Sequence, residues 1–373
     1  MPRPFRVAVI GRTGRGNYGH GLDVVWQHVD NVQIVAVADE NAAGRQAAQR
    51  RLSARSAYAD FREMLQKERP HIVSVADRFL DQHRDMVLAC AGAGASMFLE
   101  KPMCRNLVEA DEMVNACEKH HVKLAIAHQT RHSPRLQRVR EMIAAGRIGD
   151  LLEIRCRGKE DQRGGGEDLM VLGTHLMDLM RFVAGDCRWC FAQVGVAERD
   201  RVRPITKADL REGGEGMGLV AGNHITAMFG FDRGVVGHFA THRATRQAGE
   251  RDRYGMTILG SRGVIQVNLG SLPAAYFLAD PSWFPANSRA NWQEITSAGV
   301  GKPETMKDGG LGQGNIWIAQ DLMEAIDRDR QPRGSVYDAR AALEMILAVY
   351  ESQRLRGIAE LPLRNRRHPL SML

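Results

Sequence analysis

The first 127 residues alternate short apolar segments with helical ones, and this alternation constrains the fold more than any other feature. Apolar, β-branched content predicts strands at residues 5–10, 32–38, 71–76, 96–99 and 122–127. Helical patterns follow the first strand through about Val29, follow the second strand, and recur at residues 81–91 and 107–120. Strands joined by helices of this length form right-handed crossovers and lie parallel. We therefore expect a doubly wound parallel sheet in a domain that spans residues 1–127.

The pattern changes after about residue 150. Alternating segments predict strands at residues 151–157, 189–196, 224–231, 235–242, 254–259 and 264–267. We expect a long amphipathic helix at residues 169–184, an irregular stretch at 270–314, and helices at 315–329 and 336–355. Consecutive strands with short turns form an antiparallel sheet, and a helix packed on one face leaves the other face open. The pattern predicts a second, α/β domain over residues 128–373.

Length and composition narrow the class of protein. A chain of 373 residues is long enough for two domains. No apolar run reaches the about 18 residues that a membrane span needs, and the N-terminus lacks a signal pattern, so we expect a cytoplasmic protein. The net charge of +7 is spread along the chain. This favours a solvated basic surface that also attracts an anionic cofactor, and we expect no nucleic-acid partner.

The cysteines do not indicate a disulfide scaffold or a zinc site. Six cysteines are too few and too scattered for a disulfide framework in a chain of this size. Cys187 and Cys190 form a single C-x-x-C pair, and zinc needs about four ligands, so we expect no metal. A redox pair and two structural cysteines both remain open for this motif.

The glycine-rich turn after the first strand is typical of dinucleotide binding. Gly11 follows the strand directly, and Gly14, Gly16 and Gly19 fit the pattern G-x-G-x-x-G. Such glycines let the backbone turn tightly and approach a pyrophosphate at a helix N-terminus. The turn is one or two residues longer than the minimal one, so the role of each glycine stays open.

Asp39 ends the second predicted strand, 20 residues after Gly19. A carboxylate at this point accepts hydrogen bonds from the adenosine ribose and repels a 2′-phosphate. The sequence therefore predicts NAD as the cofactor, with NADP less favoured.

Two further residues suggest acid/base chemistry. Lys101 lies after the strand at 96–99, at the end of the sheet where open α/β sheets bind ligands, and Pro102 restricts its backbone. His175 lies near the start of the helix predicted at 169–184. A lysine and a histidine so placed are suited to relay a proton as hydride leaves an alcohol. The alternatives are a surface lysine and a helix histidine paired with Asp178.

The chain resembles the Gfo/Idh/MocA family of NAD(P)-dependent oxidoreductases, which act mostly on sugars and cyclic polyols. The resemblance spans nearly the whole chain. It rests on the glycine turn, Asp39, Glu100-Lys101-Pro102, Arg131, the turn at residues 146–149, the segment 164–175, and the C-terminal motifs at 361–363 and 368–370. It implies a Rossmann domain followed by an α/β domain with a large, open, mostly antiparallel sheet, through which members commonly form dimers or tetramers.

The resemblance also implies roles for individual residues. Lys101 matches the catalytic and substrate-binding lysine of the family tripeptide, and His175 matches the family's acid/base histidine. We expect Arg131 to orient the substrate. We expect the cofactor to contact residues of the turn and the strand ends, namely Gly11, Gly14, Gly16, Asp39, His83, Glu100 and Lys101.

Two positions depart from the family pattern. Many members have an aspartate four residues before the histidine, where this chain has Val171; the substitutes we expect are Asp168, with Glu167 and Asp161 behind it. Members often carry Thr-Pro after the third clear strand, where this chain has Asp77-Arg78. These changes favour an atypical substrate, or hydride chemistry used for more than simple dehydrogenation.

The expected function is transfer of hydride between a secondary alcohol of a sugar, polyol or sugar acid and NAD. One alternative oxidises a sugar transiently, eliminates a substituent and regenerates the cofactor. A second alternative is a non-catalytic, NAD-sensing regulator of the same fold, which Val171 and Asp77-Arg78 favour and the presence of both Lys101 and His175 disfavours.

Overall fold

A computed structural model describes residues 4–243, 250–307 and 309–373. The chain forms two compact units. Unit 1 comprises Met1–Gln129, Gly214–Gly218 and Leu311–Arg340, and unit 2 comprises Thr130–Gly213, Leu219–Gly310 and Ala341–Leu373. The sequence-based division near residue 127 assigns neither of the two later segments to the N-terminal part.

The N-terminal part of the chain alternates strands and helices. Its strands are β1 Phe5–Ile10, β2 Val32–Ala38, β3 Ser56–Tyr58, β4 Ile72–Val75, β5 Ser96–Leu99 and β6 Leu124–Ile126. Its α-helices are α1 Ala42–Leu52, α2 Phe61–Glu68, α3 His83–Gly92 and α4 Leu107–Lys119. Short 3₁₀ helices lie at Val24–His28 and Leu80–Gln82.

The rest of the chain is mostly strands with a few longer helices. The helices are α5 Gln129–His132, α6 Pro134–Ala144, α7 Gly166–Val171, α8 Gly173–Ala184, α9 Pro285–Ser288, α10 Leu311–Asp327 and α11 Val336–Leu355. The longer strands are β7 Leu151–Arg157, β8 Trp189–Glu198, β9 Arg201–Pro204, β12 His224–Gly230, β13 Val236–His242, β14 Gly255–Gly260, β15 Gly263–Asn268, β16 Ala275–Leu278 and β17 Gln293–Thr296. The two-residue strands are β10 Arg211–Glu212, β11 Leu219–Val220, β18 Gly299–Val300 and β19 Ala359–Glu360.

The sheet of unit 1 confirms the doubly wound prediction. In the described residues it has six parallel strands in the order β3-β2-β1-β4-β5-β6. All residues of β4 and β5 are buried, as expected for strands covered on both faces. The strand order reverses between β1 and β4, which is where such sheets bind ligands at their carboxyl ends.

Two details of unit 1 differ from the sequence prediction. The predicted helix after the glycine turn is wrong: residues 13–23 form turns, followed only by the 3₁₀ helix Val24–His28. Glycines at 14, 16, 19 and 21 with positive φ keep this stretch out of an α-helix. The sequence prediction also missed β3, because a three-residue strand gives too short a pattern to detect.

Helix α10 packs on the sheet of unit 1, although it lies almost two hundred residues after β6. Its apolar residues Ile318, Ala319 and Leu322 are fully buried in the core that contains Val7, Val9 and Phe98. Ser335 forms an isolated bridge with Ala125, and Ile126 N donates to Gly334 O. The Rossmann core is therefore completed by a distant segment of the chain.

The sheet of unit 2 is large and mostly antiparallel, as predicted. In the described residues it has eleven strands, in the order β18-β17-β16-β15-β14-β7-β13-β12-β8-β19, with β9 paired to β8. Among the described strand pairs of this sheet, only β7 and β13 are parallel. Strand β13 alternates between buried and more exposed residues over its whole length, and β12 does so from His224 to Phe229, so the sheet has one covered face.

Two predictions for unit 2 need correction. The helix expected at residues 169–184 is two helices, α7 and α8, which are interrupted at Leu172. The stretch expected to be irregular, residues 270–314, contains β16, α9, β17, β18 and the start of α10. Short elements among prolines and glycines carry too little periodicity to be recognised.

The described structure bears on three further expectations. Within residues 4–243, 250–307 and 309–373, none of the helices combines the length and apolarity needed to cross a membrane. All six cysteines are buried free thiols, including Cys187 and Cys190. In the same described residues, His, Cys, Asp and Glu side chains form no group of three or more suited to hold a metal ion.

Candidate active site

Two backbone hydrogen bonds between Arg12 and Asn17 close the glycine turn of unit 1. Arg12 N donates to Asn17 O at 2.9 Å, and Asn17 N donates back to Arg12 O at 3.0 Å. Gly14 N donates to the side-chain oxygen of Asn17. The ring of Tyr18 covers Gly11, where an added Cβ would lie 2.3 Å from the ring. Glycine at position 11 is therefore required for packing of Tyr18, and contact of Gly11 with the cofactor stays a prediction.

Asp39 lies at the end of β2, as predicted, and is almost fully buried. Its carboxylate accepts hydrogen bonds from Thr13 N, from Thr13 Oγ1 at 2.6 Å, from Tyr18 Oη at 2.9 Å and from Asn41 N at 2.9 Å. Burial raises the pKa of Tyr18, and the bond to Asp39 raises it further, so Tyr18 stays a donor. Asp39 thus fastens the turn to the end of β2.

The departure at Asp77 is explained by an ion pair with the turn. Arg12 Nη1 lies 3.1 Å from Asp77 Oδ2 and 3.2 Å from Asp81 Oδ1. Arg15 also pairs with Asp81. Burial raises the pKa of Asp77, while hydrogen bonds from Phe79 N and Arg12 act to lower it. An aspartate at this position therefore holds the turn against the end of β4.

His83 connects the ends of two neighbouring strands. It is fully buried, with Nε2 at 2.7 Å from Asp77 O and Nδ1 at 3.1 Å from both Pro102 O and Met103 O. Both ring nitrogens therefore face backbone carbonyls of this chain. In this structure His83 organises the segments after β4 and β5.

The tripeptide after β5 places Glu100 and Lys101 at the carboxyl edge of the sheet. Glu100 is fully buried, Lys101 is 8% exposed, and the Lys101–Pro102 peptide bond is cis. Glu100 Oε1 accepts a hydrogen bond from Lys101 N at 3.2 Å and lies 3.0 Å from His20 Nδ1. Glu100 Oε2 accepts from His20 N at 3.3 Å. The glycine turn and the tripeptide are therefore directly bonded.

In unit 2, His175 lies in the first turn of α8, half-buried, with its backbone N donating to Leu172 O. Asp178, one turn further on, is fully buried and binds Arg131 in a bidentate pair with distances of 2.7 to 3.0 Å. The guanidinium of Arg131 also lies over the ring of Phe182. The structure thus places Arg131, predicted to orient the substrate, on the carboxylate of Asp178.

Asp168 and Asp161 have different surroundings in unit 2. Asp168 is fully buried; its Oδ2 accepts from Thr241 Oγ1 and from Glu160 N, whereas Oδ1 has no hydrogen-bond partner in the described structure. Burial raises the pKa of Asp168. Burial acts in the same direction on Asp161, but its hydrogen bonds with Arg163 outweigh it and lower the pKa.

The residues of unit 1 fit a dinucleotide. Gly14 has a φ of +88°, and a Cβ added there would meet no atom within 4 Å, so the backbone is open to close approach. Arg15 of the same turn has a half-exposed guanidinium paired with Asp81, and Asp39 supplies a carboxylate at the end of β2. These are the groups that recognise a pyrophosphate and a ribose.

Comparisons with known proteins agree with this geometry. Residues 5–128 match a family model described as an oxidoreductase family with an NAD-binding Rossmann fold, and residues 136–266 match the GFO/IDH/MocA C-terminal domain. The chain belongs to the Gfo/Idh/MocA family. Its N-terminal match is the NAD-binding domain of that family.

Two relatives illustrate the similarity in sequence. The chain is 30% identical to D-apiose dehydrogenase of Paraburkholderia graminis over 49% of this chain and 50% of the relative. It is 24% identical to myo-inositol 2-dehydrogenase of Thermotoga maritima, over 49% of this chain and 55% of the relative. The matches thus span about half the length of these relatives.

The solved structures cover nearly the whole chain. A levoglucosan dehydrogenase in complex with NADH and levoglucosan has a TM-score of 0.75 at 20% identity, over 96% of this chain and all of the other. An oxidoreductase from Agrobacterium radiobacter in complex with NAD⁺, L-tartaric acid and magnesium has a TM-score of 0.71 at 18% identity, over 99% of both chains. At this identity the similarity establishes the fold.

Val171, where the family pattern has an aspartate, lies on a different helix from His175. Val171 is buried at the end of α7, and the break at Leu172 separates it from the helix that carries His175. A spacing of four residues across this break is not one uninterrupted helical turn. Asp168, the predicted substitute, lies in α7 and is bonded to Thr241 of β13.

Sequence reasoning missed several residues that shape this region. Thr13 and Tyr18 bind Asp39, His20 binds Glu100, and Thr241 binds Asp168. One signal was available for His20: it lies inside a turn that is longer than the minimal glycine turn. No local pattern identifies Thr241, which is 73 residues from its partner.

Proposed function

We propose that this protein is an NAD-dependent oxidoreductase that transfers hydride between a secondary alcohol of a sugar, polyol or sugar acid and nicotinamide. The observation that carries the proposal is Lys101, held at the carboxyl edge of an NAD-binding Rossmann sheet by the bond between its backbone N and Glu100. Relatives named as apiose, inositol, glucoside and levoglucosan dehydrogenases support the substrate class.

Lys101 and His175 divide the acid/base work in this proposal. The ammonium of Lys101 donates a hydrogen bond to the reacting hydroxyl, and the imidazole of His175 accepts the hydroxyl proton. NAD⁺, when bound, supplies the hydride acceptor. Asp168 and Asp161 contribute to substrate binding, with Asp168 serving for the aspartate absent at Val171, and Arg131 fixes Asp178 and thereby helix α8.

The cofactor is held by unit 1 in this proposal. Gly14 and Gly16 admit the pyrophosphate, and the half-exposed guanidinium of Arg15 exchanges Asp81 for one of its phosphates. Asp39 exchanges one of its present donors, the hydroxyl of Thr13 or of Tyr18, for a ribose hydroxyl. His83 and Glu100 support the nicotinamide end by fixing the segments after β4 and β5. A buried carboxylate at Asp39 disfavours the 2′-phosphate of NADP.

The two parts of the chain have different roles in this proposal. We assign cofactor binding to residues 1–127, and substrate binding and assembly to residues 128–373. A homodimer or homotetramer forms through the less covered face of the large sheet, where Phe191 of β8 and Tyr276 of β16 expose more than 40% of their surface. The working compartment is the cytoplasm.

Fluorescence titration with NADH and NADPH is the first experiment. We expect NADH to bind at least tenfold more tightly, a difference of about 1.4 kcal/mol, because the carboxylate of Asp39 repels the 2′-phosphate of NADPH. The protein is then incubated with NAD⁺ and a panel of levoglucosan, myo-inositol and sugar acids, and the nicotinamide absorbance is followed. Failure of both cofactors to bind, with none released on denaturation, would refute the proposal.

The same incubation tests the two alternatives that share this fold. A lyase or hydrolase that oxidises transiently forms a new product without net NADH. A regulator binds NADH but converts none of the panel. Net NADH formation that depends on Lys101 supports the dehydrogenase and excludes both.

A further inference from the structure

His20 and Glu100 form a bonded pair that links the glycine turn to the tripeptide containing Lys101. The ring nitrogen Nδ1 of His20 lies 3.0 Å from Glu100 Oε1, and the same oxygen accepts from Lys101 N at 3.2 Å. The carboxylate only accepts hydrogen bonds, so Nδ1 of His20 carries the proton. A single buried oxygen thus binds the turn on one side and the lysine backbone on the other.

The turn is shaped to reach Glu100. Gly19 has a φ of +62°, and a Cβ added there would lie 2.7 Å from Glu100 Oε2 and 2.8 Å from Ala76 O. Only glycine allows the backbone to come this close while adopting that conformation. As a consequence His20 N lies within hydrogen-bond distance of Glu100 Oε2. The residue after Gly19 is therefore fixed against the ends of β4 and β5.

A second contact fixes His20 from the other side. Asn315 of α10 is fully buried and donates from Nδ2 to His20 O at 2.9 Å, while its Oδ1 accepts from Gln129 Nε2 at 2.8 Å. Both side chains are buried in unit 1. The backbone of His20 is thus held by a polar chain that starts at Gln129.

The pKa of Glu100 is consistent with a charge-assisted hydrogen bond between Glu100 and His20. Burial alone would raise the pKa of Glu100, but the hydrogen bond and charge of His20, together with the charge of Lys101, outweigh it and lower the pKa. Glu100 is therefore an ionised, fully buried carboxylate, whereas the His20 side chain is 33% exposed. A hydrogen bond from an imidazole to an ionised carboxylate is charge-assisted and therefore stronger than one between neutral groups, so it holds the buried carboxylate in place.

We propose that His20 is a positioning residue of the dehydrogenase site: its ring anchors Glu100, and Glu100 in turn sets the backbone of Lys101 relative to the glycine turn. The kinetic part of this inference rests on the proposed function. The proposal also accounts for the one or two extra residues of the glycine turn, because they bring the imidazole of His20 to Glu100. His20 acts through Glu100, so its effect falls on the placement of Lys101 rather than on cofactor affinity.

Two variants separate the ring contact from the rest of His20. His20→Ala removes the Nδ1 donor and keeps the backbone bond to Glu100. His20→Asn places an amide N–H near the position of Nδ1, so it restores the donor without restoring the outer half of the ring. His28→Ala, at an exposed histidine of the same unit, is the matched control.

The first readout does not depend on any substrate. Lys101 is labelled by reductive methylation, and its rate is compared with that of the exposed Lys67 by peptide mass spectrometry. We expect labelling of Lys101 to rise about fivefold in His20→Ala, which corresponds to about 1 kcal/mol, the net size of a typical hydrogen bond. His20→Asn should return to within about twofold of the wild type, and His28→Ala should not differ from it. Equal labelling in all four proteins would overturn the proposal.

The second readout compares the change in kcat with the change in the Kd for NADH. The substrate is the panel member that the wild type oxidises fastest. We expect kcat to fall about 10- to 100-fold in His20→Ala, since small misplacement of a reacting group has effects of this size. The Kd for NADH should stay within about threefold, and His20→Asn should recover most of kcat. An unrescued His20→Asn, or a loss confined to NADH affinity, would overturn the positioning role. A wild type that neither binds NADH nor oxidises the panel refutes the proposed function, and the labelling result still decides the role of His20.

Discussion

The buried carboxylates of the two units differ in how completely they are bonded. In the turn region of unit 1, which comprises residues 11–21 and the strand ends at Asp39, Asp77 and Glu100, both oxygens of each carboxylate have donors. In the acid cluster of unit 2, which comprises Glu160, Asp161 and Asp168, one oxygen of Glu160 and one of Asp168 have no partner in the described structure.

The difference concerns what each region must do when a ligand arrives. In the turn region, a ligand that binds a carboxylate has to replace a hydrogen bond that the carboxylate already accepts from the protein. The affinity for the ligand therefore reflects the difference between the new and the replaced hydrogen bonds. In the acid cluster, a buried oxygen without a donor costs stability in the absence of a ligand, and such atoms often mark functional positions.

Lys101→Met should have the largest effect on turnover. We expect kcat to fall about 1,000-fold, because the variant keeps the length of the side chain but loses its proton and charge. NADH affinity should stay close to normal by fluorescence titration. Lys67→Met, at an exposed lysine of the same unit, is the control. Near-normal turnover in Lys101→Met would remove the catalytic assignment of this residue.

Arg12→Met tests whether the turn region is stabilised as a unit. Arg12 and Asp77 are both buried, so losing the guanidinium leaves an uncompensated charge, and we expect the free energy of unfolding to fall by about 3 kcal/mol. The double variant Arg12→Met with Asp77→Asn should recover much of the loss. Urea denaturation measures both, with Arg62→Met at an exposed arginine as control. Additive losses in the double variant would show that the two side chains are not coupled.

Asp161→Asn and Asp168→Asn should change stability in opposite directions at neutral pH. The pKa of Asp161 is lowered in the folded state, so its stabilising contribution is present above the unfolded value of about 3.9 and is lost as pH falls through the folded value. We expect Asp161→Asn to lower the free energy of unfolding by about 1 to 3 kcal/mol at pH 7.

The pKa of Asp168 is raised, so the wild type loses stability as pH rises from about 3.9 through the folded value. Asp168→Asn removes that loss and should be more stable than the wild type at pH 7, with no gain near pH 4. Urea denaturation of the wild type, Asp161→Asn and Asp168→Asn between pH 4 and pH 7 measures how the free energy of unfolding of each protein depends on pH. A destabilised Asp168→Asn at pH 7 would contradict the contrast between the two units.

Asp39→Asn should have the smallest effect, on cofactor preference. Removing the negative charge should reduce the ratio of NADH to NADPH affinity about tenfold, because the repulsion of a 2′-phosphate disappears. Glu40→Gln, at the exposed neighbour, should leave the ratio unchanged. An unchanged ratio in Asp39→Asn would mean that the carboxylate serves only to hold Thr13 and Tyr18.

Much of the fold followed from local patterns. The strands at residues 32–38, 96–99 and 151–157 and the helix at 336–355 have the predicted limits, because buried strands and long amphipathic helices carry strong periodicity. The helix predicted after the glycine turn failed since four glycines with positive φ override the apolar pattern that follows. Strands of two or three residues, such as β18 and β3, are too short for a periodic pattern to indicate.

The parallel sheet, the family, and the placement of Lys101 and Asp39 at strand ends follow from the amino-acid sequence alone, because each depends on residues close together in the chain. The partners that these side chains bind depend instead on the tertiary structure. His20 and Asn315 are 295 residues apart, Asp168 and Thr241 are 73 apart, and Arg131 and Asp178 are 47 apart. A hydrogen bond at such a separation depends on how strands and helices pack in three dimensions, and no local spacing records it.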